Sequence, residues 1–134
     1  MNVFLDTNIL FSAMIWPNSK PALAFNKAVS APNVGIICTY SVDELRKSIE
    51  KKIPQYLFYI EKFLYSAAFS LVFIPVPLEP CEEELKIRDI KDRPLLRAAI
   101  KIGADYFLTG DKDFLEAGIQ SPKIITASEF LELE

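Results

Sequence analysis

Asp6 stands where an apolar run, Val3-Phe4-Leu5, gives way to the helix-like pattern Thr7-Asn8-Ile9-Leu10. Three more acids hold comparable places. Asp111 follows the strand-like Tyr106-Phe107-Leu108, Glu44 lies in the first turn of one expected helix, and Asp92 opens another. In a parallel sheet, residues that follow strands and residues that open the next helices gather at one carboxyl edge, where such sheets keep their ligands. Carboxylates packed together raise one another's pKa unless a cation offsets their charge. Hard oxygen donors select Mg²⁺ or Mn²⁺. A metal held this way lowers the pKa of a water and suits phosphodiester hydrolysis. The chain has no histidine, so histidine bases and the commonest transition-metal ligand are excluded. Each acid also has a plainer reading as a helix cap or first-turn acid, and Ser41 with Glu44 spells a capping box. Asp113 and Asp89 are further acids beside the main four and rank second as metal ligands.

The elements that must position these acids alternate strand-like and helix-like segments, an α/β rhythm. The short, almost continuous apolar run Asn2 to Leu5 reads as a central parallel strand. Ser19 and Pro21 start a helix through about Ala31, and Val34 to Thr39 is the second strand. Ser41 opens a helix that buries Val42, Leu45 and Ile49. Another helix follows Pro54, with Leu57, Ile60, Leu64 and Ala67 or Ala68 as its apolar stripe. Its surplus aromatics point to core with some interface. Leu71 to Val76 is the third strand. From Asp92 a helix presents Leu95, Leu96, Ala99 and Ile102 on one face and Arg93, Arg97 and Lys101 on another, and Gly103 ends it. Tyr106 to Leu108 is the fourth strand, followed by a short helix through Leu115. Lys123 to Ile125 is the fifth strand, and Ser128 to Leu133 a closing helix.

With 134 residues and 51% hydrophobic side chains, residues 1–134 are expected to form one domain with its own core. The longest uncharged apolar stretch, Leu64 to Leu78, is broken by Pro75 and Pro77 and falls short of the ~20 residues a membrane helix needs. The start lacks the pattern of a secretory signal, so the expected location is cytoplasmic. Cys38 and Cys81 form no metal or disulfide motif and are read as free thiols. A net charge of -3 argues against broad nonspecific affinity for nucleic acid, although a local basic face is compatible with it.

The blocks Phe4-Leu5-Asp6-Thr7-Asn8-Ile9-Leu10, Ser41-Val42-Asp43-Glu44-Leu45, Asp92-Arg93-Pro94-Leu95-Leu96-Arg97-Ala98-Ala99 and Tyr106-Phe107-Leu108-Thr109-Gly110-Asp111-Lys112-Asp113-Phe114-Leu115 occur in this order over essentially the whole chain. In them the chain resembles the PIN-domain family of metal-dependent nucleases, which includes ribonuclease toxins of toxin-antitoxin pairs. The resemblance implies a three-layer α/β/α fold around a central, mostly parallel five-stranded sheet. It implies metal held by Asp6, Glu44, Asp92 and Asp111, with Asn8 and Thr109 holding carboxylates or water behind them. It also implies an endoribonuclease acting on RNA, a small antitoxin protein as partner, and a homodimer.

Lys47 and Lys51 follow Glu44 at helical spacing and are candidates to meet substrate phosphates, with Lys20, Arg93 and Lys112 beside them. Their plainer reading is a solvated face with Glu-Lys pairs. Two rival functions remain. An aspartate-nucleophile phosphatase would want a second acid at position 8, which is Asn. A PIN-like module that binds RNA or protein without cutting would have to keep four unneutralised carboxylates together, at a cost.

Overall fold

The computed structural model describes residues 1–133. Five parallel strands, β1 (Asn2–Leu5), β2 (Val34–Cys38), β3 (Leu71–Ile74), β4 (Tyr106–Leu108) and β5 (Lys123–Ile125), form one sheet in the order β3-β2-β1-β4-β5. Between and after them lie α1 (Thr7–Ile15), α2 (Lys20–Ala28), α3 (Thr39–Lys52), α4 (Leu57–Ala67), α5 (Arg93–Lys101), α6 (Lys112–Leu115) and α7 (Ala127–Glu132). Short 3-10 turns occupy Pro54–Tyr56, Glu82–Lys86 and Ile90–Asp92.

The period-2 alternation of each strand divides the core into two. Val3, Leu5, Ile37, Leu71, Leu108 and Ile125 pack with α1, α2, α3, α4 and α7. Phe4, Ile36, Cys38 and Phe107 face the opposite way onto α5, Ile87 and Phe114 of α6. Phe107 stacks on Phe4 with ring centroids 5.2 Å apart and meets Phe114 at 4.6 Å. The result is the three-layer α/β/α arrangement the sequence implied. Strand order runs outward from β1 to β3, then returns to β4 on the other side of β1, so β1 and β4 flank the point where the winding reverses. Loops diverge there and leave a crevice at the strands' carboxyl ends.

Several local expectations need correction. No loop separates β2 from α3: the strand ends at Cys38, which is itself the N-cap residue, and Thr39 is already helical. Ser41 is therefore inside the first turn and fully buried, and among the described residues its hydroxyl has no hydrogen-bond partner, so the capping box with Glu44 is not formed. Ser41→Ala is expected to raise stability by about 1 kcal/mol, because it removes a buried, unpaired hydroxyl; a capping serine would lose about that much. Urea denaturation reads the sign directly.

β3 ends at Ile74 rather than Val76, since Pro75 and Pro77 cannot donate to a ladder. Helix α2 closes at Ala28. Ile102 sits at the C-cap of α5 and is 41% exposed, off the buried stripe of Leu95, Leu96 and Ala99, because Gly103 with φ 71° turns the chain away one residue later. Arg97, expected on a face apart from the apolar stripe, is tied there to a buried acid, Glu84. On α4 the stripe holds, with Ile60, Leu64 and Ala67 buried and Ala68 outside it, while Phe58 and Tyr65, and Phe69 in the turn after the helix, stand exposed. Both cysteines are free. Among the described residues no helix is long and apolar enough to cross a membrane.

Candidate metal centre

Two strand continuations set the site. The Asp6 amide donates to the Leu108 carbonyl at 3.1 Å and the Thr109 amide donates to Ile125 at 3.0 Å, so both residues extend the sheet ladders one step past β1 and β4. That step brings their side chains together. Thr109 Oγ1 donates to Asp6 Oδ2 at 2.6 Å and accepts from the Asp111 amide at 3.0 Å, joining the two acids through one buried hydroxyl. Asp6 occupies the N-cap position of α1, yet its side chain makes no capping hydrogen bond.

The other acids come from the helices. Glu44, one turn into α3, accepts a hydrogen bond from Thr7 Oγ1 at 3.3 Å. Asp92 precedes α5, and its carboxylate likewise makes no capping hydrogen bond. Asp111 does cap α6, accepting from the Asp113 amide at 2.9 Å. One carboxylate oxygen each from Asp92, Asp111 and Asp113 lies within 4.8 Å of the others, close enough to share a cation. Asp113, the second-ranked acid, thus sits in the tightest group. Asp89 caps the turn before α5 by accepting from the Lys91 amide at 3.0 Å.

Electrostatics tie Asp6 and Glu44 to that group. Burial pushes Asp6 up to about 6, opposed by the Thr109 hydroxyl and the Thr7 amide and reinforced by the charges of Asp111 and Glu44. Burial also raises Asp92 to about 6, with Asp89, Asp111, Asp6 and Asp113 adding repulsion. Glu44 is raised by burial and by Asp92, against the lowering effect of Thr7. Acids from four segments therefore feel one another across the crevice. The donors are all hard carboxylate oxygens, the set that suits Mg²⁺ or Mn²⁺.

Of the two residues expected behind the ligands, Thr109 holds a carboxylate, whereas Asn8 is exposed and lines a neighbouring cavity. Thr7, not among the site residues named from the sequence, holds Glu44 through its hydroxyl. Its signal was its place in the first turn of a helix that begins beside the acid. Among the basic candidates, Lys47, Lys51 and Lys20 are exposed on their helices. Lys112 borders a shallow pocket of mixed charge with Lys86, Arg88, Asp113 and Glu116. Arg93 Nε donates to the Ile87 carbonyl at 2.9 Å, which commits it to holding the segment before Asp92. Arg88, missed in the sequence, pairs with Asp113 at 3.1 Å. Lys52 was missed as well, although it follows Glu44 by two helical turns.

A family model described as PIN domain matches residues 2–113. No curated protein matches the sequence. Among solved structures, VapBC2 from Rickettsia felis bound to a promoter DNA fragment aligns with a TM-score of 0.71 at 19% identity, covering 94% of this chain and 98% of the other. DNA-bound VapBC from Salmonella typhimurium aligns at 0.67 and 18%, covering 95% and 98%. The Mycobacterium tuberculosis toxin VapC20, described as cleaving the sarcin-ricin loop, aligns at 0.58 and 15%, covering 88% and 96%. At these identities the likeness is one of fold.

Proposed function

Since the chain belongs to the PIN-domain family, we propose that it is a metal-dependent endoribonuclease that hydrolyses RNA phosphodiester bonds, and that it is the toxin of a toxin-antitoxin pair. The observation that carries this reading is the convergence of Asp6, Glu44, Asp92 and Asp111, with Asp113, where β1 and β4 end. Solved neighbours described as toxin-antitoxin assemblies, and one described as a toxin that cleaves the sarcin-ricin loop, support the choice of RNA and of an antitoxin partner. The exposed Phe58 and Tyr65 on α4, with Phe69 just after it, support a protein contact there, with the antitoxin or a second copy of the chain.

Asp92, Asp111 and Asp113 are placed to hold Mg²⁺ or Mn²⁺, with Asp6 and Glu44 completing the acidic wall. Bound there, the ion would neutralise the carboxylates, bind a phosphate oxygen and lower the pKa of a water. The chain's own part is positioning. Thr109 fixes the orientation of Asp6 and, through the Asp111 amide, the path of the loop that carries Asp111. Thr7 steadies Glu44, a half-buried acid whose pKa is raised by burial and by Asp92. Arg88 stands beside Asp113, where it can meet a phosphate oxygen once Asp113 is neutralised.

Incubating the protein with end-labelled single-stranded RNA and DNA tests the reading. Cleavage of RNA is expected with Mg²⁺ or Mn²⁺, complete loss with chelator, and recovery when the ion is returned. Cutting that persists in chelator would remove the metal from the proposal, and cutting of DNA alone would remove the ribonuclease.

A further inference from the structure

Beside the acidic crevice, between α1 and α3, lies a half-enclosed cavity of about 160 Å³ that the reaction as described leaves unused. Thr7 joins the two spaces, since it lines the cavity while its hydroxyl holds Glu44. A wall of the cavity is apolar, made by Phe11 and the buried Ile49 among others. Its polar members are Asn8, Ser48 and Lys52. We propose that this cavity receives a base of the substrate strand, from the nucleotide next to the phosphate being cut, and so sets the enzyme's preference at that position. The proposal rests on the nuclease reading above for its biological meaning.

The chemistry of the lining matches a base better than a purely apolar ligand. A nucleobase has two apolar faces and a hydrogen-bonding edge, and proteins that read unpaired RNA place the faces against aromatic or apolar side chains and the edge against amides and hydroxyls. Phe11 and Ile49 supply the first kind of surface. Asn8, with donor and acceptor on one amide, and Ser48 supply the second. Lys52 adds a positive charge beside an acidic site that by itself repels phosphate. An aliphatic side chain seated here would draw no hydrogen bond from these groups.

The test uses uncharged nucleosides, so that binding is read without metal and without cleavage. The full-length chain is titrated with adenosine, guanosine, cytidine, uridine and ribose while its backbone amide resonances are followed. Shifts centred on Asn8, Phe11, Ser48 and Lys52 are expected with one or two nucleosides and not with ribose. Ser48→Trp, which fills the cavity, is expected to remove them, and Asn8→Ala to lower discrimination between bases about tenfold, the size of one good base-edge contact. The Asp6→Asn protein is expected to keep the shifts while losing cleavage. Absence of shifts in a wild-type protein that cuts RNA overturns the base site and leaves the nuclease standing. Equal shifts with ribose, or shifts here only with an antitoxin-derived amphipathic peptide, overturn it as well. Nucleoside shifts in a protein that cuts nothing would instead overturn the nuclease.

Discussion

Asp6→Asn is expected to lower RNA cleavage by at least about 10³-fold, the scale of the several kcal/mol that a metal-centred charge arrangement supplies, while making the metal-free protein more stable at neutral pH. The two effects have one cause. Asp6 is 4% exposed and its pKa is raised from 3.8 to about 6, so above pH 6 the fold carries a buried charge that the unfolded chain would solvate. That ionisation costs about 3 kcal/mol. Asparagine has nearly the same shape, can still accept from Thr109, and carries no charge.

The sign of the pH dependence follows. A carboxylate whose pKa is raised by folding opposes folding when ionised, so stability of the metal-free protein rises as pH falls from neutrality through 6 toward the ordinary carboxylate range. Asp92, also raised to about 6 but only half-buried, adds a smaller contribution of the same sign. Glu84 works in the opposite direction. Arg97 holds it down to about 2, so its contribution is full above 4.5 and fades as pH falls toward 2. Metal-free stability should therefore peak near pH 4, where the gain from protonating Asp6 and Asp92 is nearly complete and the loss from Glu84 takes over. Urea midpoints measured across pH 3 to 8 should show that peak in the wild type, a flatter neutral limb in Asp6→Asn, and recovery of the wild type at pH 7.5 on adding Mg²⁺ or Mn²⁺. An Asp6→Asn protein less stable than wild type at pH 7.5 without metal would contradict the account of why these acids are held together.

Arg97→Met is expected to destabilise the protein by about 3–5 kcal/mol, the cost of leaving a buried acid without its partner. Glu84 is 3% exposed and takes Arg97 Nε and Nη2 on its two oxygens, both at 2.8 Å. Arg97 Nη1 also donates to the Pro77 carbonyl at 3.1 Å, and Glu84 accepts the Cys81 amide at 2.7 Å. Together they clamp the loop after β3 onto α5. Glu84→Gln should cost less, about 1–3 kcal/mol, because the amide still accepts from Cys81 and Arg97, with 17% of its side chain exposed, reaches water. Equal losses in the two variants, measured by chemical denaturation, would mean that the buried charge is not the dominant cost. Since Asp92 directly precedes α5, Arg97→Met should also weaken cleavage at temperatures where the protein remains folded.

The order of strands and helices was readable because each buried face imposes a period, two on β1 and close to four on α5, and the period needs no knowledge of the partner. The acids at strand ends were readable for a related reason: a carboxylate after an apolar run conflicts with local burial, and the conflict marks a site. Where two elements meet without a loop, the local signal misled. Ser41 carries a capping sequence, but β2 had already become α3 at Thr39, and no local rule announces that junction. The partner of Arg97 was not readable because it lies thirteen residues away, in a 3-10 turn with no strong period.

What the sequence alone determined is the α/β alternation, the family, and the set of acids from which a metal centre can be built. Only the tertiary structure decided which atoms meet: Asp113 with Asp92 and Asp111, Thr109 between Asp6 and Asp111, Thr7 on Glu44, and the cavity beside them. The reason is physical. Periodicity and propensity act over a few residues, whereas hydrogen bonds and charge repulsion across the crevice depend on strand order, which brings β1 beside β4 though about a hundred residues separate them in the chain.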